Sequence, residues 1–175
     1  IPDSARWAGR GISLASEVHV MTLADCVAQI EQQLLDAKVV FGHGTDNAFD
    51  ESTWLVLSAT GINIGIEPTD WQQELSKPQQ LAVKQLLNKR IETRKPLAYL
   101  VKRAWFAGNE LYIDKRAIIP RSHLGEWIPD RLRPWLGRTS VKTALDLCTG
   151  SGCIAVAIAL AFPEAKVDAA DISAE

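Results

Sequence analysis

Cysteine is scarce in this chain and odd in number: Cys26, Cys148 and Cys153 are the only three among 175 residues, and no two stand in C-x-x-C spacing. A disulfide framework and a zinc site are thereby excluded, and a reducing compartment is expected. Histidine is equally sparse, and its three copies are scattered without the carboxylate spacing a metal ligand set needs. No metal site is expected. Long apolar runs are missing too, since the stretch 153–162 covers about half of the ~20 residues of a membrane helix. That excludes a transmembrane reading and makes a cytoplasmic location the expectation. The chain opens at Ile1 without methionine, charged n-region, apolar h-region or cleavage signature. It reads as cut from something longer. There is no internal repeat and no low-complexity tract.

What remains is the composition of a soluble globular protein, with 47% apolar and 23% charged residues and 19 Lys plus Arg against 21 Asp plus Glu. The near balance hides a strong asymmetry along the chain. Residues 1–76 carry 3 basic and 11 acidic side chains, residues 77–142 carry 15 and 5, and residues 143–175 carry 1 and 5. The middle block, at +10, has the charge to steer a polyanion or an acidic surface, and equally the charge of a solvated helix face.

Residues 1–21 show no period and read as a lead-in. Leu23, Val27, Ile30, Leu34 and Ala37 then recur at spacings of four and three behind Thr22, which predicts a capped helix over 22–38. After the turn-rich segment 41–47, Asp50 is expected to cap a short helix containing Trp54, Leu55 and Leu57 that ends at Gly61. A third helix is expected to start near Ser76, to tolerate Pro78 in its first turn, to bury Val83, Leu86, Leu87 and Ile91, and to end at Pro96. The first hundred residues thus read as an all-α unit. Residues 104–106 and 111–113, joined through Gly108 and Asn109, have the aromatics and turn chemistry of a β-hairpin. Leu124, Ile128, Leu132 and Trp135 sit at helical spacings, with Pro129 and Pro134 placed to shorten or kink that helix.

Residues 143–171 carry the most informative pattern: a buried strand over 143–147, a glycine turn over Thr149, Gly150, Ser151 and Gly152, an apolar helix over 153–162, and a second strand over 166–170 ending at Asp171. This is a βαβ unit. Glycines at 150 and 152 allow a tight turn and a close ligand approach at a helix N-terminus, whose free N–H groups favour acceptor or anionic atoms. Asp171 lies 21 residues past Gly150, where a carboxylate can accept both ribose hydroxyls of a nucleoside cofactor. Gly150-x-Gly152-x-x-Ala155 also satisfies the relaxed dinucleotide fingerprint, so a nicotinamide oxidoreductase stays open. Asp146 points elsewhere: it puts a carboxylate four residues before the first glycine, where a pyrophosphate would approach. There it suits a cationic ammonium or the holding of the turn, and S-adenosyl-L-methionine has such a cation and no pyrophosphate.

Several segments together make the chain resemble a known family. They are Gly42-His43-Gly44-Thr45-Asp46-Asn47, Pro96-Leu97-Ala98-Tyr99-Leu100, Trp105-Phe106-Ala107-Gly108 through Ile119-Pro120-Arg121-Ser122, Gly125-Glu126, and Asp146-Leu147-Cys148-Thr149-Gly150-Ser151-Gly152 with Asp171-Ile172-Ser173. The family is that of the HemK-type glutamine side-chain amide methyltransferases, and within it the branch acting on a large-subunit ribosomal protein, the third of the L series. The sister branch, which modifies release factors, usually carries Pro-Arg-Pro followed by an acid, Thr and Glu; here Pro120-Arg121-Ser122-His123-Leu124-Gly125-Glu126 stands instead.

The resemblance implies a helical substrate-recognition domain over 1–100, a β-hairpin linker over 101–122, and over 123–175 the start of a Rossmann-like class I methyltransferase domain, an α/β fold. It implies that Cys148, Thr149, Gly150, Ser151 and Gly152 wrap the methionine end of S-adenosyl-L-methionine through backbone groups, that Asp171 binds the ribose, and that Asp146 supports the loop. Phe106, Pro120 and Arg121 become candidates for the cofactor wall, with core, turn and Glu126-partner roles equally open to them. His43 reads as a turn or recognition residue, and Cys148 and Cys153 as small core residues. The ribosomal protein is the expected partner, and ribosomal RNA contact through 77–142 a further one. The family's Asn-Pro-Pro-Tyr motif, which holds the acceptor amide, is absent. No catalytic residue is therefore expected here, and the chain is expected to be a fragment. A release-factor methyltransferase and a non-catalytic ribosome-docking module are the alternatives. Two parallel strands under one apolar helix should also leave hydrophobic faces and strand edges uncovered.

Overall fold

In the computed structural model, which describes residues 20–63 and 68–173, seven helices, one 3-10 segment and four short strands follow one another. Most of the expected lead-in therefore lies outside the described residues. Helix α1 (Leu23–Asp36) begins where the sequence places it. The Thr22 side chain accepts from the Asp25 N–H and the Asp25 carboxylate accepts from the Thr22 N–H, a complete capping box. Its predicted stripe of Leu23, Val27, Ile30 and Leu34 is buried against Leu55 and Val56 of α2 (Ala48–Thr60) and Val83 and Leu87 of α3 (Lys77–Thr93).

Two helix boundaries differ from expectation. Asn47, not Asp50, caps α2: its side chain accepts from the Asp50 N–H at 2.8 Å, which places Asp50 inside the first turn. Helix α3 starts behind Ser76 as expected but stops at Arg94, whose left-handed backbone ends the ladder before Pro96 is reached. Pro96 instead opens the short α4 (Leu97–Val101).

The helical unit contains one buried charge pair. The Arg90 guanidinium on α3 donates to Glu51 on α2 at 2.6 Å, with both side chains almost wholly inaccessible, and also to the Val40 carbonyl at 3.0 Å. Glu51 accepts in addition from the Thr45 hydroxyl at 3.1 Å. The Gly-His-Gly-Thr-Asp-Asn loop is thus fastened to the core from beneath. The apolar periods of the two helices did not reveal the pair.

Strands β1 (Arg103–Phe106) and β2 (Asn109–Tyr112) form the expected antiparallel hairpin, β1 starting one residue and β2 two residues before the predicted places. The turn is Ala107 and Gly108, both at positive φ as a two-residue hairpin turn of this hand requires, and Asn109 begins the second strand. The predicted helix over 124–135 is split into α5 (Leu124–Trp127) and α6 (Arg133–Leu136) by Arg131 and Leu132 in the left-handed region. Pro129 has no N–H to continue the first ladder, and Pro134 fits only the opening turn of the second.

Strands β3 (Thr143–Leu147) and β4 (Lys166–Ala170) pair in parallel, with Thr143 opposite Lys166 and Leu147 opposite Ala170, and α7 (Cys153–Ala161) crosses between them. The βαβ unit is present at the expected residues. Phe106 of the hairpin packs with Ile128, Cys153 and Ala157, joining it to α7, and the approach is so close that a Cβ on Gly125 would lie 3.0 Å from the Phe106 ring. Strand β3 is not buried as predicted. Asp146 is its single buried residue, and Leu145 and Leu147 are 59% and 67% exposed, because one helix covers one face of a two-stranded sheet. The expectation of open apolar faces holds.

Glu51→Ala should strand the Arg90 charge in the core and lower stability by about 3–5 kcal/mol, whereas the double change Glu51→Leu with Arg90→Met should lose much less. Urea denaturation of the three proteins checks this, and equal losses would contradict the pairing.

Candidate functional site

The glycine turn is built from β3 outward. Helix α7 has Gly152 at its N-cap, with left-handed φ of 76°, and so lacks a side-chain acceptor of its own for the first turn. Asp146 supplies one from the neighbouring strand. Its Oδ2 accepts from the Ala155 N–H at 3.0 Å and from the Thr149 hydroxyl at 2.6 Å. This buried carboxylate caps the helix and holds the turn, so of the two roles open to it the structural one is occupied.

Between Asp146 and the helix, Cys148 and Gly150 both take positive φ, and the Thr149 N–H donates to the Ala170 carbonyl at the end of β4. Cys148 is exposed, contrary to the core role expected of it, while Cys153 is buried. The difference follows from the reversal of the chain at the strand end, which turns residue 148 outward.

Asp171 closes the arrangement. One carboxylate oxygen accepts from the Gly150 N–H at 2.8 Å and the other from the Ser173 N–H at 3.0 Å. The two parts of the fingerprint, 21 residues apart, are therefore in direct contact. Asp171 is exposed, and the Ser173 and then the Gly150 N–H groups hold its carboxyl below the usual carboxylate range.

Above this turn lies a hollow of about 160 Å³ walled by Gly150, Ser151 and Asp171 on one side and by Tyr112, Asp114 and Arg116 on the other. The second wall is the chain leaving the hairpin, and the sequence reading missed it. Arg116 grips Asp114 through two nitrogens, at 2.8 to 3.1 Å, Tyr112 donates to the same carboxylate, and the Tyr99 hydroxyl donates to the Ala117 carbonyl, so the segment is firmly placed. Arg116 holds the Asp114 carboxyl far below the usual range. The available sign was Asp114-x-Arg116 immediately after a strand. Phe106, Pro120 and Arg121 do not line this hollow. They wall a separate one of about 940 Å³ with Gly42, Gly44 and Asp46, Phe106 being mostly core and Arg121 reaching toward the Gly42 carbonyl rather than Glu126.

A nucleoside cofactor can be tested against these groups. Exposed backbone at two glycines and an ionised acid with room in front of it fit a ribose and a polar tail. The volume is below the ~300–1,000 Å³ of a typical small-molecule pocket, so the hollow holds part of such a ligand. No group of His, Cys, Asp and Glu suited to a metal ion occurs among the described residues, and none of their helices is long and apolar enough to cross a membrane.

Because the folded pKa of Asp171 is lowered, its closure onto the turn contributes at pH values above the unfolded pKa and is lost as pH falls through the folded one. The Gly150 amide resonance should accordingly titrate with a midpoint below about 3.9, and Asp171→Asn should abolish that titration. A midpoint at or above the ordinary value would contradict the closure.

No protein-family model matches the chain. Curated relatives do. The chain is 41% identical over 155 residues to the ribosomal protein uL3 glutamine methyltransferase of Burkholderia pseudomallei, a match covering 88% of the chain and 50% of the relative. To the protein of the same name in Bordetella pertussis it is 39% identical over 160 residues, covering 90% and 53%, and to that of Xylella fastidiosa strain Temecula1 42% over 159 residues, covering 91% and 50%. The chain spans about half the length of the curated relatives it matches. The motif-based resemblance to the ribosomal-protein branch holds, and over about nine tenths of its length this chain is a homologue of proteins named ribosomal protein uL3 glutamine methyltransferase.

Proposed function

We propose that this chain belongs to a longer S-adenosyl-L-methionine-dependent methyltransferase that modifies a glutamine side-chain amide of ribosomal protein uL3, and that it contributes the cofactor-binding turn. In this reading residues 1–100 are the helical recognition domain, 101–122 the hairpin linker and 123–175 the start of a Rossmann-like class I domain. Cys148, Thr149, Gly150, Ser151 and Gly152 present backbone groups to the methionine end of the cofactor. Asp171 takes the ribose hydroxyls, and Asp146 keeps the turn in shape.

One observation carries the choice of cofactor. In a dinucleotide fold the N-terminus of the crossover helix receives the pyrophosphate. Here the buried Asp146 carboxylate already lies on the Ala155 N–H. A diphosphate would meet a negative charge in a poorly screened place, which disfavours the nicotinamide reading and favours a cationic, phosphate-free nucleoside.

When bound, the cofactor supplies an electrophilic methyl on a sulfonium, and the protein supplies position and electrostatics. The chain's own share of that work is orientation. The Asp171–Gly150 contact fixes where a ribose sits, Gly152 at open left-handed backbone leaves the helix end clear of side chain, and the Tyr112–Asp114–Arg116 segment walls the opposite side. An amide nitrogen is a poor nucleophile because its lone pair is shared with the carbonyl. The motif that would hold it is not in these 175 residues, so no catalytic residue is assigned here.

Calorimetric titration of the full-length protein with S-adenosyl-L-methionine tests the reading. Asp171→Ala should weaken binding by about 10- to 100-fold, the range expected for losing one or two hydrogen bonds to a charged group, and NAD should give no binding. Undiminished affinity in the variant would refute the site. Mass spectrometry of uL3 incubated with enzyme and cofactor should then find the added methyl on a glutamine.

A further inference from the structure

The +10 block does not form one bare basic surface. Arg90, Arg103, Arg116, Arg131 and Arg133 are each engaged by an acid. Of the ten basic residues of the block that no acid among the described residues engages in a salt bridge, four gather in one place. Lys89 and Lys95, at and just beyond the end of α3, Lys102 at the end of α4, and Lys115 after the hairpin line a single hollow of about 550 Å³. All four are exposed, and among the described residues none has an acidic group within salt-bridge distance. The one acid in that lining, Asp114, is already held by Arg116.

We infer that this hollow is a docking site for the phosphate backbone of RNA. Four lysines from three separate elements, with no salt-bridging acid, give this hollow a positive potential on a chain whose net charge is −2. A helix face solvated for its own sake would space its lysines along one element; these converge from α3, α4 and the hairpin exit. Lysine is the point-charge form of phosphate recognition, suited to sequence-independent contact. The choice of RNA over another polyanion rests on the functional reading above, because the protein that reading makes the substrate is a ribosomal one.

The location adds a consequence. Asp114 and Arg116 line this hollow and the one at Gly150 and Asp171. RNA held by the four lysines would lie beside the proposed cofactor turn, separated from it by that one segment. Docking would therefore present a ribosomal protein in its RNA-bound state to the methyl donor.

Fluorescence anisotropy of the full-length protein with a labelled single-stranded 20-nucleotide RNA tests the site. Wild type should bind with log K falling against log salt with a slope of about −3, as expected for about four phosphates on a single strand. The triple variant Lys89→Glu, Lys95→Glu, Lys102→Glu should bind at least about tenfold more weakly and with a shallower slope, while its S-adenosyl-L-methionine affinity, measured by calorimetry, stays at the wild-type value. Lys77→Glu with Lys84→Glu, elsewhere on α3, should change RNA binding less than twofold. The inference is overturned if the triple variant binds RNA as wild type does, if binding is insensitive to salt, if the Lys77 and Lys84 changes weaken it equally, or if poly-glutamate or phosphatidylserine vesicles displace the RNA at equal charge concentration. Lysine-dependent RNA binding without methyl transfer to uL3 would instead count against the functional reading and leave the RNA site standing.

Discussion

Asp146 is the constraint on which the βαβ unit depends. A helix that starts at a glycine has no capping side chain, and a turn with two residues at positive φ has little local reason to persist. The carboxylate on β3 answers both needs, because it caps the Ala155 N–H and ties down the Thr149 hydroxyl while burial keeps water from competing. With the turn held from below, its upper face is free to present backbone to a ligand, and Asp171 can reach it from the end of β4.

A second polar anchor plays the corresponding part in the helical unit. Arg90 and Glu51 lie 39 residues apart, and the same two side chains reach Val40 and Thr45. The loop between α1 and α2, with Gly42 and Gly44 at positive φ and Gly44 close against the Trp54 ring, is therefore shaped by the core beneath it. Phe106 then carries the hairpin onto α7 across the narrow gap left by Gly125. An apolar core holds the helical part, Ala98, Ala104, Ile113 and Ile119 with the Trp54–Trp105 contact join it to the hairpin, the Phe106 cluster joins the hairpin to α7, and one carboxylate holds the turn. The apolar sheet face at Leu145 and Leu147 remains open.

Elements whose cause is local were readable in the sequence. The Thr22 cap of α1, the Ser76 start of α3, the stripe on α1 and the exact span of β4 each depend on residues within about four positions of one another or on an uninterrupted period. Errors arose where two local signals competed. Asn47 and Asp50 are both good caps, and the earlier one took the position. Arg94 adopted a left-handed backbone that ended α3 before the proline did. Ala107, a residue rarely at positive φ, took a turn place that Asn109 seemed better suited to fill. Within the candidate site the acid, the glycines and their spacing were readable. The opposite wall of Tyr112, Asp114 and Arg116 was not, since nothing in the period of a hairpin says which residues beyond its end fold back toward the glycine turn.

Sequence alone determined the family resemblance, the order of helices, hairpin and βαβ unit, and the pairing of a glycine turn with an acid at the next strand end. These are encoded by neighbouring residues and by short, regular hydrogen-bond patterns. Tertiary structure decided that Arg90 is a buried partner rather than part of a basic face, that Asp146 serves the helix end, that Phe106, Pro120 and Arg121 wall a different hollow from Gly150, and that four lysines from three elements converge. Burial and charge pairing depend on which distant surfaces meet, and that is set by how the elements pack rather than by what stands beside a residue in the chain.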